Sequence, residues 1–176
     1  MTKIIHPYSI GDWVVHHAYG IGQIKQIDER PFQGKPIAYF RVEIKDNACW
    51  WFPRNSVDNP RIRPVASRDT LHLAQNELQK IIQDVEIDRD MLLIRIEEVR
   101  ASDALVATSQ LVRDLTILQT QRNLNQTEKT ALGHFTDRLI REWAAAMNVD
   151  IETVRLKLHD FLQVSKERAR VNLNNV

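Results

Sequence analysis

The stretch Ile37-Ala38-Tyr39-Phe40-Arg41-Val42-Glu43-Ile44 decides the fold of the first part of the chain. Its even-numbered residues are apolar, and Tyr39, Arg41 and Glu43 stand between them. Successive side chains of a β-strand point to opposite faces of the sheet. This period of two therefore predicts a strand with one buried face and one exposed face.

Three more strand-like runs surround this one, at Asp12–His17, Gly20–Glu29 and Ala48–Phe52, and turn-forming residues separate them. The glycines in Gly20-Ile21-Gly22 lack the continuation of a phosphate-binding loop, so we expect them to let a strand bend sharply. Four or five short antiparallel strands bury little surface unless the sheet curls on itself. We therefore predict an SH3-like or Tudor-like small β-barrel, a kind of module that usually binds a partner and rarely catalyses.

Three aromatic residues follow one another at Trp50, Trp51 and Phe52. They cannot all point inward on a strand. Either Trp50 and Phe52 fill the core and Trp51 faces out, or the reverse holds. A large aromatic side chain exposed on an edge strand is a candidate anchor for a partner, and the alternative is that a loop or a second domain covers it.

The composition changes sharply near residue 65. Of the 176 residues, all six prolines, four of the five glycines and nine of the twelve aromatic residues lie at or before this point. The remainder is rich in Leu, Ile, Ala, Gln and Glu, which favour helices. We predict an α+β protein of two domains, an all-β domain at residues 1–66 and an all-α domain at residues 67–176.

Apolar residues recur at spacings of three and four throughout the second part, which predicts amphipathic helices. The five apolar stripes fall within residues 71–85, 92–99, 108–118, 132–146 and 151–162. Helix starts are indicated by Ser67, by Asn125 with Glu128 three residues later, and by Asp150. We therefore predict a five-helix bundle, with a tail at residues 166–176 that loses its apolar stripe and frays.

Composition and charge exclude several classes of protein. With 43% hydrophobic and 27% charged residues the chain has ordinary globular composition. The longest apolar run is about five residues, far below the roughly 20 that a spanning helix needs. We expect a cytoplasmic protein without a membrane partner. Residues 104–176 carry ten basic and eight acidic side chains, so a phosphate-facing surface is to be sought late in the chain.

No catalytic or metal-binding constellation stands out. His16 and His17 are adjacent on a predicted strand and should point to opposite faces, which disfavours a shared metal. Cys49 is the single cysteine and has no evident activating partner. We therefore expect no enzymatic activity, no metal, no cofactor and no small-molecule substrate.

Residues 143–158 fit two interpretations. The pattern resembles a helix-turn-helix, whose second helix would offer Arg155 and Lys157 to the major groove, although Glu152 and Asp160 lie on the same helix. Two antiparallel helices of a bundle leave the same pattern. A sequence-specific repressor is therefore the alternative function.

Tyr8-Ser9-Ile10-Gly11-Asp12-Trp13-Val14-Val15-His16-His17-Ala18-Tyr19-Gly20-Ile21-Gly22 resembles the opening of the CarD/CdnL family of bacterial transcription regulators, a module also found in transcription-repair coupling factors. The resemblance continues in order along the chain. It includes Arg30 before a turn with Gly34, Tyr39-Phe40-Arg41-Val42, Pro53, Ile62-Arg63-Pro64-Val65, Val112-Arg113-Asp114-Leu115, Glu128-Lys129 and Glu142-Trp143-Ala144.

This resemblance implies a Tudor-like domain that docks on the RNA polymerase β subunit, followed by a helical domain placed against upstream promoter DNA. Such regulators stabilise the opened promoter without catalysis. The residues expected to bind polymerase are Arg30, Tyr39, Arg41, Trp51 and Pro53. The residues expected to contact DNA are Arg89, Arg113, Lys129 and Arg138.

Two positions depart from the family pattern. Trp51 stands where the family has a second polymerase-facing arginine, and this exchanges a charged contact for an apolar one. Asp88 stands about where the family has a tryptophan that wedges against melted DNA. A carboxylate is repelled by phosphates and cannot stack on a base, so we expect weak or altered DNA contact.

Overall fold

The fold is that of a computed structural model, which describes residues 8–55, 59–80 and 88–173, with side chains through residue 167 except that of Asp46. The chain divides into two compact units, Met1–Val65 and Ala66–Val176.

In the first unit, residues 8–55 and 59–65 form a five-stranded antiparallel sheet in the order β4-β3-β2-β1-β5. The strands are β1 Trp13–His16, β2 Gly20–Phe32, β3 Lys35–Glu43, β4 Cys49–Pro53 and β5 Ile62–Pro64, with a short 3-10 turn at Lys45–Asn47. One core cluster takes side chains from all five strands, including Trp50 and Phe52 of one edge strand and Ile62 of the other. Both edges can reach one core only because the sheet curls, which confirms the Tudor-like fold.

The long strand β2 changes partners along its length. It pairs with β1 over residues 20–23 and with β3 over residues 23–32, with a bulge between Ile24 and Gln26. Gly22 lies where β3 comes closest, because a Cβ atom there would sit 2.5 Å from Val42 Cγ1 and 2.6 Å from the Glu43 carbonyl oxygen. Glycine at this position is therefore what permits the close approach of the two strands.

The described residues of the second unit form five helices, as predicted. They are α1 Arg68–Gln79, α2 Arg89–Ser102, α3 Leu105–Gln121, α4 Gln126–Met147 and α5 Ile151–Leu173. Buried side chains from all five helices form one cluster. No helix in the described part of the chain is long and apolar enough to cross a membrane.

The helix starts lie where the sequence indicates. The Ser67 hydroxyl accepts the N–H of Thr70 at 3.1 Å, and Asn125 and Glu128 form a reciprocal capping box. The Asp150 carboxylate accepts the N–H three residues later at 2.8 Å. These side chains satisfy backbone donors that a helix leaves unpaired at its first turn.

The helix ends differ from the pattern in two places. The first apolar stripe runs to residue 85, whereas α1 ends at Gln79 and residues 81–87 lie outside the described residues. The backbone of α5 is helical through Leu173, over much of the segment for which the sequence predicts fraying. Ser165 is buried and donates to the Leu78 carbonyl oxygen at 2.8 Å, so a contact with α1 supports α5 at a point where the apolar stripe has ended.

Candidate functional site

One face of β2, β3 and β4 points away from the core of the first unit, and we call it the outer face. The strand register aligns Asp28 with Tyr39 and Tyr39 with Pro53, and it aligns Arg41 with Trp51. Alternation along β2 places Arg30 on the same side as Asp28. All five residues predicted to bind polymerase therefore lie on the outer face, although they come from three strands.

The structure settles the direction of the three consecutive aromatic residues. Trp50 and Phe52 are 7% and 3% exposed in the core, and Trp51 is half-buried on the outer face. The Trp51 indole Nε1 donates a 2.7 Å hydrogen bond to Asp28 Oδ2. Trp51 is on β4 and Asp28 is on β2, with β3 between them. The indole therefore lies across β3.

Arg30 stacks on this indole. Its guanidinium carbon lies 3.7 Å from the centroid of the Trp51 ring, a distance at which the cation is attracted by the face of the ring. Arg30 is exposed, and within the described residues its guanidinium has no hydrogen-bond or ion-pair partner. Its N–H donors are thus available to a partner molecule.

Arg41 is the second guanidinium of the outer face and is more enclosed. Its Nη2 lies 3.5 Å from Glu43 Oε1, and its side chain is 31% exposed. Its Nε atom is buried without a hydrogen-bond partner in the described part of the chain. A buried donor of this kind gains from an acceptor that a partner brings.

Asp28 and Phe32 also lie on this face, and the sequence analysis missed both. The pKa of the Asp28 carboxyl is held below its ordinary value, chiefly by the hydrogen bond from Trp51 and further by Gln26 and the two arginines, while partial desolvation opposes the shift. Phe32 is 52% exposed near the end of the β2–β3 hairpin. Its position two residues after Arg30 was the signal that could have identified it.

His16 and His17 lie at the end of β1, where the His17 N–H donates to the Arg61 carbonyl oxygen at 3.0 Å. The His16 ring packs against the core residue Trp50 with centroids 4.9 Å apart, and His17 is exposed. The two histidine ring centroids lie 6.4 Å apart. His16 Nδ1 accepts the N–H groups of Ala18 and Tyr19, and burial lowers the His16 pKa. Among the described residues no cluster of His, Cys, Asp or Glu could hold a metal ion.

Two of the predicted DNA contacts, Arg89 and Lys129, are exposed at the starts of α2 and α4. The two helix starts lie near each other. The pKa of Glu128 is lowered mainly by its paired hydrogen bonds from Arg122, each 2.8 Å long, and also by the charge of Arg89. At this end of the helical unit two cations, Arg122 and Arg89, therefore act on the buried carboxylate of Glu128.

The structure does not support the other two predicted DNA contacts, Arg113 and Arg138, because both side chains are largely buried. Arg113 is 5% exposed, and its guanidinium donates to the Glu77 carbonyl oxygen at 2.7 Å and to Asp114 Oδ1 at 2.8 Å. The Arg138 side chain is 11% exposed and forms an ion pair with Asp103. Both guanidinium groups join helices within the unit, so neither is presented to a DNA backbone.

The segment with the helix-turn-helix pattern belongs to the bundle. Trp143, Val154 and Leu158 are buried in the common core, and Trp143 stacks on Phe161 with centroids 5.8 Å apart. Arg155 is exposed and pairs with Glu152. Asp88, at the position expected for the wedge, is the exposed residue before α2, while Glu86 and Ile87 lie outside the described residues.

Comparison with known proteins agrees with this division. Residues 8–66 match the CarD-like/TRCF RID domain, and residues 96–159 match the CarD C-terminal domain. A relative from Bacillus subtilis strain 168, named "Putative transcription factor YdeB", is 27% identical over 141 residues, which cover 77% of this chain and 89% of the relative. The two matches occur in family order and together cover more than half of the chain. The chain therefore belongs to the CarD-like family of transcription regulators, and its first domain is the family's RNA polymerase-interacting domain.

Proposed function

We propose that the outer face docks this protein on the β subunit of RNA polymerase. The observation that carries the proposal is the convergence of Arg30, Arg41 and Trp51 from three strands on one face. Arginine and tryptophan are the residues most enriched at the energetic centres of protein interfaces. A stacked arginine also keeps its in-plane donors free for a carboxylate or carbonyl acceptor.

The helical unit then lies near upstream promoter DNA and contacts it weakly. Arg89 and Lys129 are the two predicted contacts that remain exposed. Each phosphate contact contributes about 0.9 to the slope of log affinity against log salt concentration. Two contacts give a slope of about two, which is small for a protein that binds DNA on its own.

A pull-down with a purified fragment of the β lobe tests the docking. Wild type should be retained and Arg30→Glu should be lost, since the new carboxylate removes the stacked cation from Trp51. Arg61→Glu is the matched control, because Arg61 is exposed beside β5, which three strands separate from β4 in the order of the sheet. The proposal fails if wild type does not bind, or if both variants lose binding equally.

The two alternative functions predict different results in binding assays. A sequence-specific repressor acting through residues 143–158 would bind a discrete DNA site without polymerase and with a steep salt dependence. A Tudor-like adaptor for other peptides would bind those peptides without competition from the β lobe. Either outcome, together with no retention on the β lobe, would replace the proposed function.

A further inference from the structure

We infer that Asp28 is a positioning residue of the outer face, which acts on the partner contact through the Trp51 indole. This inference rests on the proposed function, because it names the residue that holds the docking face in shape. It concerns a side chain that the residue pattern did not single out.

The Trp51 side chain extends from β4 across β3 to β2. Neighbouring strands lie about 4.8 Å apart, so the backbones of β4 and β2 are separated by about 9.6 Å. The Trp51 side chain spans this distance along the sheet and ends in its 2.7 Å hydrogen bond to Asp28 Oδ2. This hydrogen bond fixes the indole nitrogen over β2 and thereby restricts the rotamer of the side chain.

Arg30 in turn stacks on that indole. The Arg30 guanidinium lies 3.7 Å from the ring centroid, and among the described residues it forms no hydrogen bond or ion pair. The charge of Asp28 attracts it as well. The ring is thus the closest contact of the guanidinium, and Asp28 holds the ring by its hydrogen bond. The stacked guanidinium presents its edge for a bidentate contact, the geometry that suits a carboxylate of the partner.

Both carboxylate oxygens of Asp28 already accept hydrogen bonds within the sheet. Its Oδ1 accepts a 2.7 Å hydrogen bond from Gln26 Nε2 while Oδ2 accepts the indole. The hydrogen bond from Trp51 also keeps the pKa of this carboxyl low, so the acceptor is charged at neutral pH. Both oxygens of Asp28 already accept hydrogen bonds, and its negative charge would repel the partner carboxylate that suits Arg30, so a positioning role fits Asp28 better than direct contact.

The test measures the affinity of the full-length protein for the purified β lobe at fixed salt. Asp28→Ala should weaken binding about tenfold, because a hydrogen bond to a charged group is lost. Asp28→Asn should stay within about threefold of wild type, since its amide oxygen can accept the indole N–H. Glu29→Ala removes the same charge from the opposite face of the same strand and should leave affinity unchanged.

A double-mutant cycle separates positioning from direct contact. On a Trp51→Phe background, which has no indole donor, Asp28→Ala should change affinity less than about twofold. Equal losses on both backgrounds, no loss in Asp28→Ala, or an equal loss in Glu29→Ala would each overturn the inference. Should Asp28→Ala not fold, Gln26→Ala must give a smaller loss in the same direction, and unchanged affinity would overturn the inference.

A spectroscopic measurement distinguishes a failure of the positioning role of Asp28 from a failure of the proposed docking on the β subunit. The Trp51 indole N–H resonance, assigned by its absence in Trp51→Phe, should move in Asp28→Ala and stay near its position in Asp28→Asn, without any partner present. If wild type does not bind the β lobe, the proposed function falls. An unchanged resonance in Asp28→Ala removes the positioning role whatever the partner is.

Discussion

Replacing Arg113 by alanine tests the correction of its role most directly. Arg113 lies on α3 and joins it to the end of α1 through the carbonyl oxygen of Glu77. It also bonds Asp114, which in turn is held by Arg95 of α2 at 2.7 Å. A surface arginine that contacts DNA would not occupy such a position.

The expected loss of unfolding free energy depends on which buried partners of Arg113 keep another hydrogen bond in the variant. Removing one member of a buried ion pair costs about 3 to 5 kcal/mol, because the partner charge stays buried. Asp114 keeps Arg95, and the Glu77 carboxylate keeps Gln110 and Lys80. The Glu77 carbonyl oxygen loses its Arg113 donor, which costs about 1 to 3 kcal/mol. We therefore expect the lower end of the range, about 3 kcal/mol.

Thermal and urea unfolding followed by circular dichroism at 222 nm checks this value on the full-length chain, since that signal reports the helices. A loss of about 3 kcal/mol in a domain of this size lowers the midpoint by roughly 10 to 20 °C. Lys129→Ala is the control and should shift stability by less than about 0.5 kcal/mol, because Lys129 is exposed. Wild-type stability in Arg113→Ala, combined with weaker DNA binding, would refute the structural role.

Three further predictions concern other parts of the chain. Gly22→Ala should destabilise the first unit by about 1 to 3 kcal/mol in urea unfolding followed by tryptophan fluorescence, because the new Cβ meets Val42 Cγ1 at 2.5 Å; an unchanged midpoint would contradict this. The depressed pKa of Glu128 implies stability that is present above its ordinary value of 4.5 and lost as pH falls through the folded-state pKa. Glu128→Gln should therefore lose less stability than wild type between pH 6 and pH 3 in thermal unfolding, and an equal loss would exclude the Arg122 pair as the cause. Asp88→Trp should lengthen the lifetime of open promoter complexes, while Asp88→Ala should change it little; a large effect of Asp88→Ala would show that the acidic side chain itself acts on DNA.

Local pattern was sufficient for most of the fold. The period of two in β3 and the capping pattern at Asn125 and Glu128 predict structure that forms between near neighbours in the sequence. Three features escaped it. The strand β5 is only three residues long, the packing of the His16 ring on Trp50 joins two strands that are far apart in the sequence, and the helical backbone after Ser165 depends on a contact with α1.

The candidate site was only partly accessible from sequence. Family resemblance and the exposed-aromatic argument both led to Trp51, and Arg30 followed from the resemblance. Asp28 carries no motif, since its role comes from a hydrogen bond to a residue 23 positions away. Arg113 and Arg138 look like any other basic residue until their partners Glu77 and Asp103 are known, and those partners lie 36 and 35 positions away.

The sequence by itself determined the change of composition near residue 65, the four longer strands and the five helices, because hydrophobic periodicity and capping act over a few residues. Which side of β4 faces the core was decided by the tertiary structure. Tertiary structure alone decided which arginines are available to a partner. A charge can be buried when an opposite charge from another helix or strand pairs with it. Local sequence patterns do not show which residues from distant parts of the chain will pair. The guanidinium on Trp51 is therefore open to a partner, while that of Arg113 is enclosed by its own fold.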